Sequence, residues 1–380
     1  MTGREPPPRA VDGRILTPEG WITGRIWFDS RVLRIEADAS VRSDCRVLPG
    51  FIDLHVHGAQ GVDIMQGGDA AATVARAHGR HGTTLLLGTT MTAHERDIER
   101  ALQGLADVIA HKAPDSARVL GVHLEGPFLS PHRLGAQPAL TVPATLEAVQ
   151  RLHAIAPLRV ITLAPEMPGH LALIPAMAAL GIRVQLGHSA ASYEEGVAAL
   201  RAGAAGFTHL FNGMTGLHHR DPGLVGAALA HAEYAELIPD LQHVDPGAVR
   251  AALRAIPRLY AITDATAATG MPDGEYALGP QRVYKCAGCV RLATGSLAGS
   301  ALTMDQALRN LIALGEDLAL AADRCARFPA DYLGLTDRGR IAPGAWADLV
   351  VLDDALQPRQ VFSEGLPLLP EDSHPRKDRP

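Results

Sequence analysis

The chain has 380 residues and a formal net charge of −6, and its composition of 47% hydrophobic against 20% charged residues excludes an intrinsically disordered protein. The chain has no Lys/Arg block, which argues against a nucleic acid or membrane partner, and no apolar run of the roughly 18 residues that a membrane span needs. Four cysteines and a polar, proline-rich N-terminus, unlike a signal peptide, predict a cytoplasmic protein without a disulfide framework.

Short β-like pieces separated by Gly and Pro turns occupy the first 46 residues. From Val47 onward, strands alternate with amphipathic or Ala-rich helices. The strands are predicted at 47–57, 83–90, 118–125, 159–165, 183–188, 205–211, 235–243 and 258–264. The helices are predicted at 70–80, 94–110, 144–154, 170–180, 193–202 and 246–255. This α/β pattern over roughly 220 residues is typical of a (β/α)8 TIM-type barrel, although a doubly wound sheet has the same periodicity.

Past the eighth strand, the pattern returns in part to β structure. It predicts a β-hairpin at 275–294, two helices at 303–328 and β structure at 339–353. Because β pieces flank the barrel at both ends of the chain, we expect two domains. Residues 1–48 and 335–380 would form a small β-sandwich domain, and residues 49–334 would form the barrel.

A pair of histidines ends the first barrel strand. In a strand, side chains at positions i and i+2 point to the same face, so His55 and His57 project together. The end of that strand is the catalytic rim of a TIM-type barrel. Two imidazoles at this spacing suit a metal such as zinc or iron, and the alternative is a pair of structural histidines.

Four further candidates each end a different predicted strand. They are Glu125, His188, His209 and Asp264. A carboxylate or imidazole at the end of an apolar strand is costly to bury without a metal or a polar partner. Their repeated position at one rim therefore predicts a metal-dependent catalytic site.

Other histidines and cysteines are interpreted as structural. His78 lies on a predicted helix, where we expect it at the surface, and His123 is expected to be structural or to support the site. Cys286 and Cys289 have the spacing of half a zinc knuckle, but no second pair follows at a usable distance. They are predicted at the tip of a hairpin.

Several motifs together resemble the amidohydrolase superfamily and, within it, a deacetylase family. They are Pro-Gly-Phe-Ile-Asp-Leu-His-Val-His-Gly at 49–58, His-Leu-Glu-Gly-Pro-Phe at 123–128, Gly-His-Ser at 187–189, His-Leu-Phe-Asn-Gly-Met at 209–214, Asp-Ala-Thr at 264–266 and Leu-Ala-Gly-Ser at 297–300. The first motif is common to many amidohydrolases, whereas the second and fourth are much narrower. The resemblance covers nearly the whole chain.

The resemblance implies a divalent metal as cofactor, with one or two ions per subunit. Glu125, His188 and His209 would hold the main metal, and His55 and His57 would hold a second one bridged through Glu125. Zinc or iron is expected, although imidazole and carboxylate ligands also accept cobalt or manganese.

The resemblance also implies a set of substrate contacts. They are Ala136, Gln137, Asn212, Gly213, Arg220, His243, Leu297, Ala298 and Gly299. Arg220 and His243 match residues that contact a phosphate. Because the matching loop of the family lies at a dimer interface, we expect a homodimer in which Arg220 serves the neighbouring site. Gln137 departs from the family, which has His there; an amide donates a hydrogen bond but cannot carry a proton.

The implied reaction is metal-assisted hydrolysis of the N-acetyl group of N-acetylglucosamine 6-phosphate, giving glucosamine 6-phosphate and acetate. Asp264 would take the proton of the attacking water and deliver it to the leaving amine. One alternative is a related deacylase of N-acetylgalactosamine 6-phosphate or of a non-phosphorylated N-acyl compound. A non-catalytic metal-binding scaffold is the alternative from a different functional class.

Overall fold

The computed structural model describes residues 8–42 and 44–369 of the chain. Its strands are β1 (Arg9–Thr17), β2 (Gly20–Phe28), β3 (Val32–Ala37), β4 (Arg46–Pro49), β5 (Phe51–Val56), β6 (Gly58–Ala59), β7 (Val62–Asp63), β8 (Thr83–Thr89), β9 (Arg118–Glu125), β10 (Leu158–Leu163), β11 (Arg183–Leu186), β12 (Gly206–Phe207), β13 (Tyr234–Leu237), β14 (Arg258–Ala261), β15 (Gly274–Leu278), β16 (Gln281–Cys286), β17 (Cys289–Leu292), β18 (Leu349–Leu352), β19 (Pro358–Ser363) and β20 (Leu366–Pro367). Its helices are α1 (Ala70–Gly79), α2 (Glu95–Ala110), α3 (Leu146–Ile155), α4 (His170–Ala179), α5 (Tyr193–Ala202), α6 (Gly223–His231), α7 (Pro246–Ala255), α8 (Met304–Ala313), α9 (Leu318–Cys325) and α10 (Arg327–Tyr332). Within the described ranges, we find no helix with the length and apolar character of a membrane span.

The central layer is a curled parallel sheet in the order β12-β11-β10-β9-β8-β5, and β13 and β14 form a second parallel pair. Backbone hydrogen bonds join these two pieces on both sides: Leu210 N donates to Glu236 O (2.9 Å), and Asp264 N donates to His55 O (2.9 Å). Strands follow one another in chain order, without the reversal of a doubly wound sheet. This arrangement fits a TIM-type barrel.

The barrel strands are buried along most of their length because helices cover them. All of β5 and β8 is buried, including the run Leu85–Leu87. Continuous burial of this kind is typical of parallel strands with covered faces. The polar site residues therefore stand out where these strands end.

The predicted first strand at 47–57 is in fact two strands, which differ in their partners. β4 pairs with β1 and β18, whereas β5 pairs with β8. Gly50 separates them, and a Cβ atom at this position would lie 2.3 Å from the Thr84 side chain. The prediction of one continuous strand was wrong because the change of strand partner depends on distant residues and cannot be read from the local sequence.

The sixth and seventh barrel strands are shorter than predicted, and the helix between them was missed. β12 and β13 are each followed by a loop. The loop after β13 contains Pro239, which has no backbone N–H to donate to a neighbouring strand. The missed helix is α6, which is apolar on nearly all sides and buried from Gly223 to Ala228. Such a helix lacks the amphipathic period that identifies helices in a sequence.

Strands from both ends of the chain meet in one mixed sheet, in the order β20-β19-β18-β4-β1-β2-β3. Its apolar core contains Ile15, Ile26, Phe28 and Leu349. A separate antiparallel sheet consists of β15, β16 and β17. Cys286 and Cys289 are opposite each other in the antiparallel ladder of β16 and β17, on either side of a two-residue turn, and both are free thiols. This position confirms the predicted hairpin tip.

Candidate metal centre and active site

The end of β5 brings His55 and His57 together, as their spacing predicts. Their Nε2 atoms lie 3.1 Å apart, and both side chains are buried. The side chain of His55 is wholly inside the barrel, whereas His57 also lines a cavity at the rim.

Glu125 lies between this pair and a second pair of histidines. Its Oε1 is 3.1 Å from His188 Nε2 and 3.0 Å from His209 Nε2. Its Oε2 is 3.2 Å from His57 Nε2 and 3.5 Å from His55 Nε2. The carboxylate therefore faces two imidazole pairs, one with each oxygen.

The outer hydrogen bonds of these imidazoles favour metal binding. His188 Nδ1 lies 2.8 Å from Arg133 O, a pure acceptor, so Nδ1 carries the proton. His55 Nδ1 lies 3.0 Å from a carboxylate oxygen of Glu236. In the neutral form, both rings then turn an unprotonated Nε2 inward, which is the state that a metal requires.

The spacing of the inward atoms also fits a metal. His188 Nε2 and His209 Nε2 are 3.1 Å apart, and each lies within 3.1 Å of Glu125 Oε1. Tetrahedral zinc with bonds of about 2.0–2.1 Å separates its ligands by roughly 3.3–3.4 Å. The two donor groups, Glu125-His188-His209 and His55-His57-Glu125, therefore fit divalent ions.

The buried carboxylates of the centre favour positive charge on the imidazoles beside them. Burial alone would lower the pKa of His57, but the hydrogen bonds to Asp264 and Glu125 outweigh it and raise the pKa to about 9. Burial opposes ionisation of Glu125 as well, yet His55, His188 and His209 hold its pKa well below the usual value. Buried carboxylates that stay ionised attract a proton or a metal cation to the imidazoles.

Asp264 lies beside the His55-His57 pair. Its Oδ1 is 3.2 Å from His57 Nε2 and 3.5 Å from His55 Nε2. Its backbone has φ 52°, and His188 and His209 also have positive φ, at 45° and 30°. Non-glycine residues rarely adopt this conformation, and they concentrate at functional sites, where the surrounding structure holds them.

A cavity of about 140 Å³ opens onto the centre. The predicted residues that line it are His57, Glu125, Ala136, Gln137, His188, His209, Asn212, Gly213, His243, Asp264, Leu297 and Gly299. His55, Ala298 and Arg220 are outside this lining. Ala298 is buried and donates its N–H to Val290 O (3.1 Å), whereas Arg220 is exposed and contacts His219 Nε2 through Nη1 (2.9 Å).

Sequence reasoning missed four residues around the centre. Gly135, Met91 and Leu278 line the cavity, and Glu236 is fully buried behind His55. Glu236 had a detectable signal, because a charged residue inside the predicted strand 235–243 is unusual. Met91 and Leu278 had none, since apolar residues are common everywhere in the chain.

The side chain of Gln137 is engaged with the protein. Thr92 N–H donates to its Oε1 (2.8 Å), so Nε2 faces Glu125 Oε2, to which it donates at 2.8 Å. Nε2 also lies 3.5 Å from Met91 Sδ. A contact from Gln137 to the substrate stays a prediction.

A histidine–aspartate pair forms one wall of the cavity. His243 Nδ1 lies 2.7 Å from Asp240 Oδ2, which leaves Nε2 as its second polar atom. Burial lowers the pKa of His243, but the hydrogen bond to Asp240 and its charge outweigh this effect and raise the pKa. A protonated His243 suits an anionic part of a ligand.

Two histidines were predicted outside the catalytic site, and the structure agrees with the prediction for His123 but not for His78. His123 is buried and bonded on both ring nitrogens, to Leu54 O (3.1 Å) and Thr162 Oγ1 (2.8 Å), which agrees with a structural role. His78 was expected at the surface, and this was wrong. It is buried beside Gly58 O (3.2 Å), because the face of α1 that carries it packs on the barrel.

Comparisons with known proteins agree with this site. The Amidohydrolase family matches residues 46–373. An N-acetylgalactosamine-6-phosphate deacetylase of Escherichia coli O157:H7 is 40% identical over 372 residues, covering 93% of this chain and 97% of its own. An N-acetylglucosamine-6-phosphate deacetylase of Lysinibacillus sphaericus is 40% identical over 333 residues, with 84% of each chain covered.

A solved structure has the same fold. It is a mutant of N-acetyl-D-glucosamine-6-phosphate deacetylase from Mycobacterium smegmatis, in complex with N-acetyl-D-glucosamine 6-phosphate. The two chains superpose with a TM-score of 0.89 at 35% identity, over 96% of this chain and 100% of the other. These three relatives are named as deacetylases of phosphorylated N-acetylhexosamines. With the family match over most of its length, the chain belongs to the amidohydrolase family.

Proposed function

We propose that the protein hydrolyses the N-acetyl group of N-acetylglucosamine 6-phosphate to glucosamine 6-phosphate and acetate. The observation that carries this proposal is the shared carboxylate Glu125 between two imidazole pairs, with Asp264 beside them in one cavity. The likeness to amino-sugar-phosphate deacetylases over nearly the whole chain supports the substrate.

Glu125, His188 and His209 would hold the main divalent ion, and His55 and His57 a second ion that shares Glu125. Their inward Nε2 atoms and short mutual distances support both assignments. Zinc or iron is the expected metal, since imidazole with carboxylate suits both. A divalent ion bound there supplies Lewis-acid activation of water and of the acyl oxygen.

The chain itself supplies the proton transfers. Asp264 accepts the proton of the attacking water at a carboxylate oxygen and then delivers it to the leaving nitrogen. His57, 3.2 Å from Asp264 Oδ1, keeps that oxygen beside the centre. Gln137 holds Glu125 through its amide, and Ala136 with Leu297 and Gly299 exclude water from the acyl group.

The sugar phosphate would extend out of the cavity towards exposed loops. The cavity of about 140 Å³ is smaller than the roughly 300 Å³ of typical ligand sites, so it would hold only part of the substrate. His243 would meet the phosphate, and Asn212 and Gly213 the sugar. Arg220 is exposed outside the cavity and would reach a phosphate from a neighbouring subunit, which is our reason to propose a homodimer.

A second candidate substrate is N-acetylgalactosamine 6-phosphate, which differs only in the configuration of one hydroxyl. The relative from E. coli O157:H7 that is 40% identical over 93% of this chain carries that name.

Acetate release from a small panel of substrates tests the function. The panel contains both N-acetylhexosamine 6-phosphates and unphosphorylated N-acetylglucosamine. We expect the highest kcat/KM on N-acetylglucosamine 6-phosphate; a higher value on its galacto epimer would favour the second candidate. No acetate from any of them, with zinc or iron supplied, would contradict deacetylation.

Arg220→Ala in the same panel tests the phosphate contact. This variant should raise KM for the phosphorylated sugar far more than it lowers kcat, because a guanidinium fork pairs with phosphate oxygens. Arg254→Ala, another exposed arginine, serves as the matched control. An equal decrease in kcat/KM on the phosphorylated and unphosphorylated sugars would show that Arg220 does not contact the phosphate.

The same proposal extends to the organisation of the protein. We infer a barrel domain of residues 49–334 and a small β-sandwich domain of residues 1–48 and 335–380, supported by the separate pairing of β4 and β5. Residues 1–7, 43 and 370–380 of this proposed domain lie outside the residues that the structure describes. The low cysteine content and the phosphorylated substrate support a cytoplasmic location.

A further inference from the structure

Glu236 is a fully buried carboxylate on β13, inside the barrel and behind the candidate metal centre. Its Oε2 lies 3.0 Å from His55 Nδ1 and accepts the backbone N–H of His209 (3.2 Å). The hydroxyl of Tyr260 donates to its Oε1 at 3.5 Å. Glu236 thus contacts one histidine from each of the two imidazole pairs.

The hydrogen-bond partners of Glu236 hold its carboxylate in the orientation described above. Tyr260 Oη, which donates to it from β14, itself accepts from Gln185 Nε2 on β11 (2.7 Å). The carboxylate is therefore tied to the segments that carry His55 and His209 and to two further barrel strands. A carboxylate only accepts when ionised, so the proton in the contact with His55 is on Nδ1.

We propose that Glu236 is a positioning residue that fixes the ring orientation and tautomer of His55, so that its unprotonated Nε2 faces His57 and Glu125. This inference rests on the proposed metal-dependent function. A ligating histidine commonly donates its other N–H to a carboxylate, and loss of such a partner typically weakens metal binding about 10–100-fold.

His55, His123 and Glu236 lie close enough together to be considered as a third group of metal ligands. Their hydrogen bonds argue against a metal site there. His123 uses both ring nitrogens, since Nδ1 donates to Leu54 O and Nε2 contacts Thr162 Oγ1. His55 Nε2 meanwhile points away from Glu236, at 3.1 Å from His57 Nε2. The cluster has no free pair of imidazole nitrogens for an ion.

Zinc titration of the metal-free protein tests the proposal. We expect wild type to bind two equivalents, measured by elemental analysis after dialysis and by calorimetry. Glu236→Gln should keep the first equivalent and bind the second about 10–100-fold more weakly, because an amide can offer its NH₂ to His55 and favour the wrong tautomer. Asp305→Asn is the matched control, a buried carboxylate that pairs with Arg309 away from the centre.

A spectrum of wild type decides the question even if Glu236→Gln does not fold. Zinc-loaded protein with ¹⁵N-labelled histidine should have a hydrogen-bonded Nδ1–H resonance from His55, assigned by its loss in His55→Ala. Zinc bound through Nδ1 of His55, no protected Nδ1–H, or a Glu236→Gln variant with wild-type affinity for both ions would overturn the positioning role. Failure of wild type to bind zinc or iron would instead overturn the metal-dependent function, while the same spectrum of the metal-free protein still decides whether Glu236 holds the proton of His55 on Nδ1.

Discussion

At the scale of single residues, Asp264 differs from the other carboxylate of the cavity, Glu125. Glu125 is shared among several imidazoles and the amide of Gln137, whereas Asp264 Oδ1 contacts the His55-His57 pair alone. Burial would raise the pKa of Asp264, but His55 and His57 outweigh it and lower the pKa. The carboxylate of Asp264 is thus ionised and has fewer hydrogen-bond partners than Glu125, so it can accept a proton as a general base must.

Asp264→Asn should therefore lower kcat by about 10²–10⁴-fold, because an amide cannot accept and return the proton. Metal content and melting temperature should stay close to wild type. Turnover by the purified variant and elemental analysis check this, with Asp273→Asn, an exposed acid on the β15 side of the fold, as control. More than about a tenth of wild-type turnover would rule out Asp264 as the general base.

At the scale of elements, the loops after the barrel strands are held by their neighbours. The loop from His188 to α5 is one case: Ser189 Oγ and Ala190 N both donate to Glu166, at 2.7 and 2.6 Å. α5 then begins with a capping box, in which Ser192 Oγ accepts from Glu195 N and Ser192 N donates to Glu195 Oε2. These bonds limit the movement of the strand end that carries His188.

Ser192→Ala removes half of this capping box, which should lower the free energy of unfolding by about 1 kcal/mol. Ser192 lies outside the cavity lining, so kcat/KM should not change. Urea unfolding measures the first effect and acetate release the second. Ser30→Ala, an exposed serine outside any helix, provides the comparison. Equal stability of the two variants would contradict a stabilising cap.

At the scale of the whole molecule, an ion network joins the barrel to the sheet made from both chain ends. Glu364, after β19, accepts from both Arg118 of β9 and Arg338 (Arg118 Nη2 at 2.8 Å). Arg338 also donates to the buried Asp348 (2.6 Å). Burial would raise the pKa of Glu364, but the hydrogen bonds from Arg118 and Arg338 lower it to about 2.

Because of this network, the free energy of unfolding should decrease at acidic pH. Since the folded pKa of Glu364, about 2, lies below the ordinary 4.5, its contribution is complete above pH 4.5 and is lost as the pH falls towards 2. Glu364→Gln should therefore melt well below wild type at pH 7, and the gap should close between these pH values. Thermal melts at several pH values measure it.

The control for this prediction is Asp97→Asn, which breaks an exposed pair with Arg100 on α2. Such pairs contribute little, so its melting temperature should stay near wild type at every pH. A gap for Glu364→Gln that persists unchanged to pH 2 would mean that packing, rather than charge, accounts for the effect.

The sequence by itself determined the alternation of strands and helices, and the strand ends that carry His55, His57, Glu125, His188, His209 and Asp264. These follow from local apolar patterns and from the side-chain period of a strand, which need no knowledge of distant residues. The tertiary structure alone decided that β4 and β5 have different partners, that α6 is a helix, and that His78 is buried. It also decided that Glu236 lies behind His55 and that the amide of Gln137 faces Glu125. The contact between His55 and Glu236 joins residues 181 positions apart, which only the closure of the barrel brings within hydrogen-bonding distance. The contact between Gln137 and Glu125 joins residues 12 positions apart and depends on the path of the loop after β9.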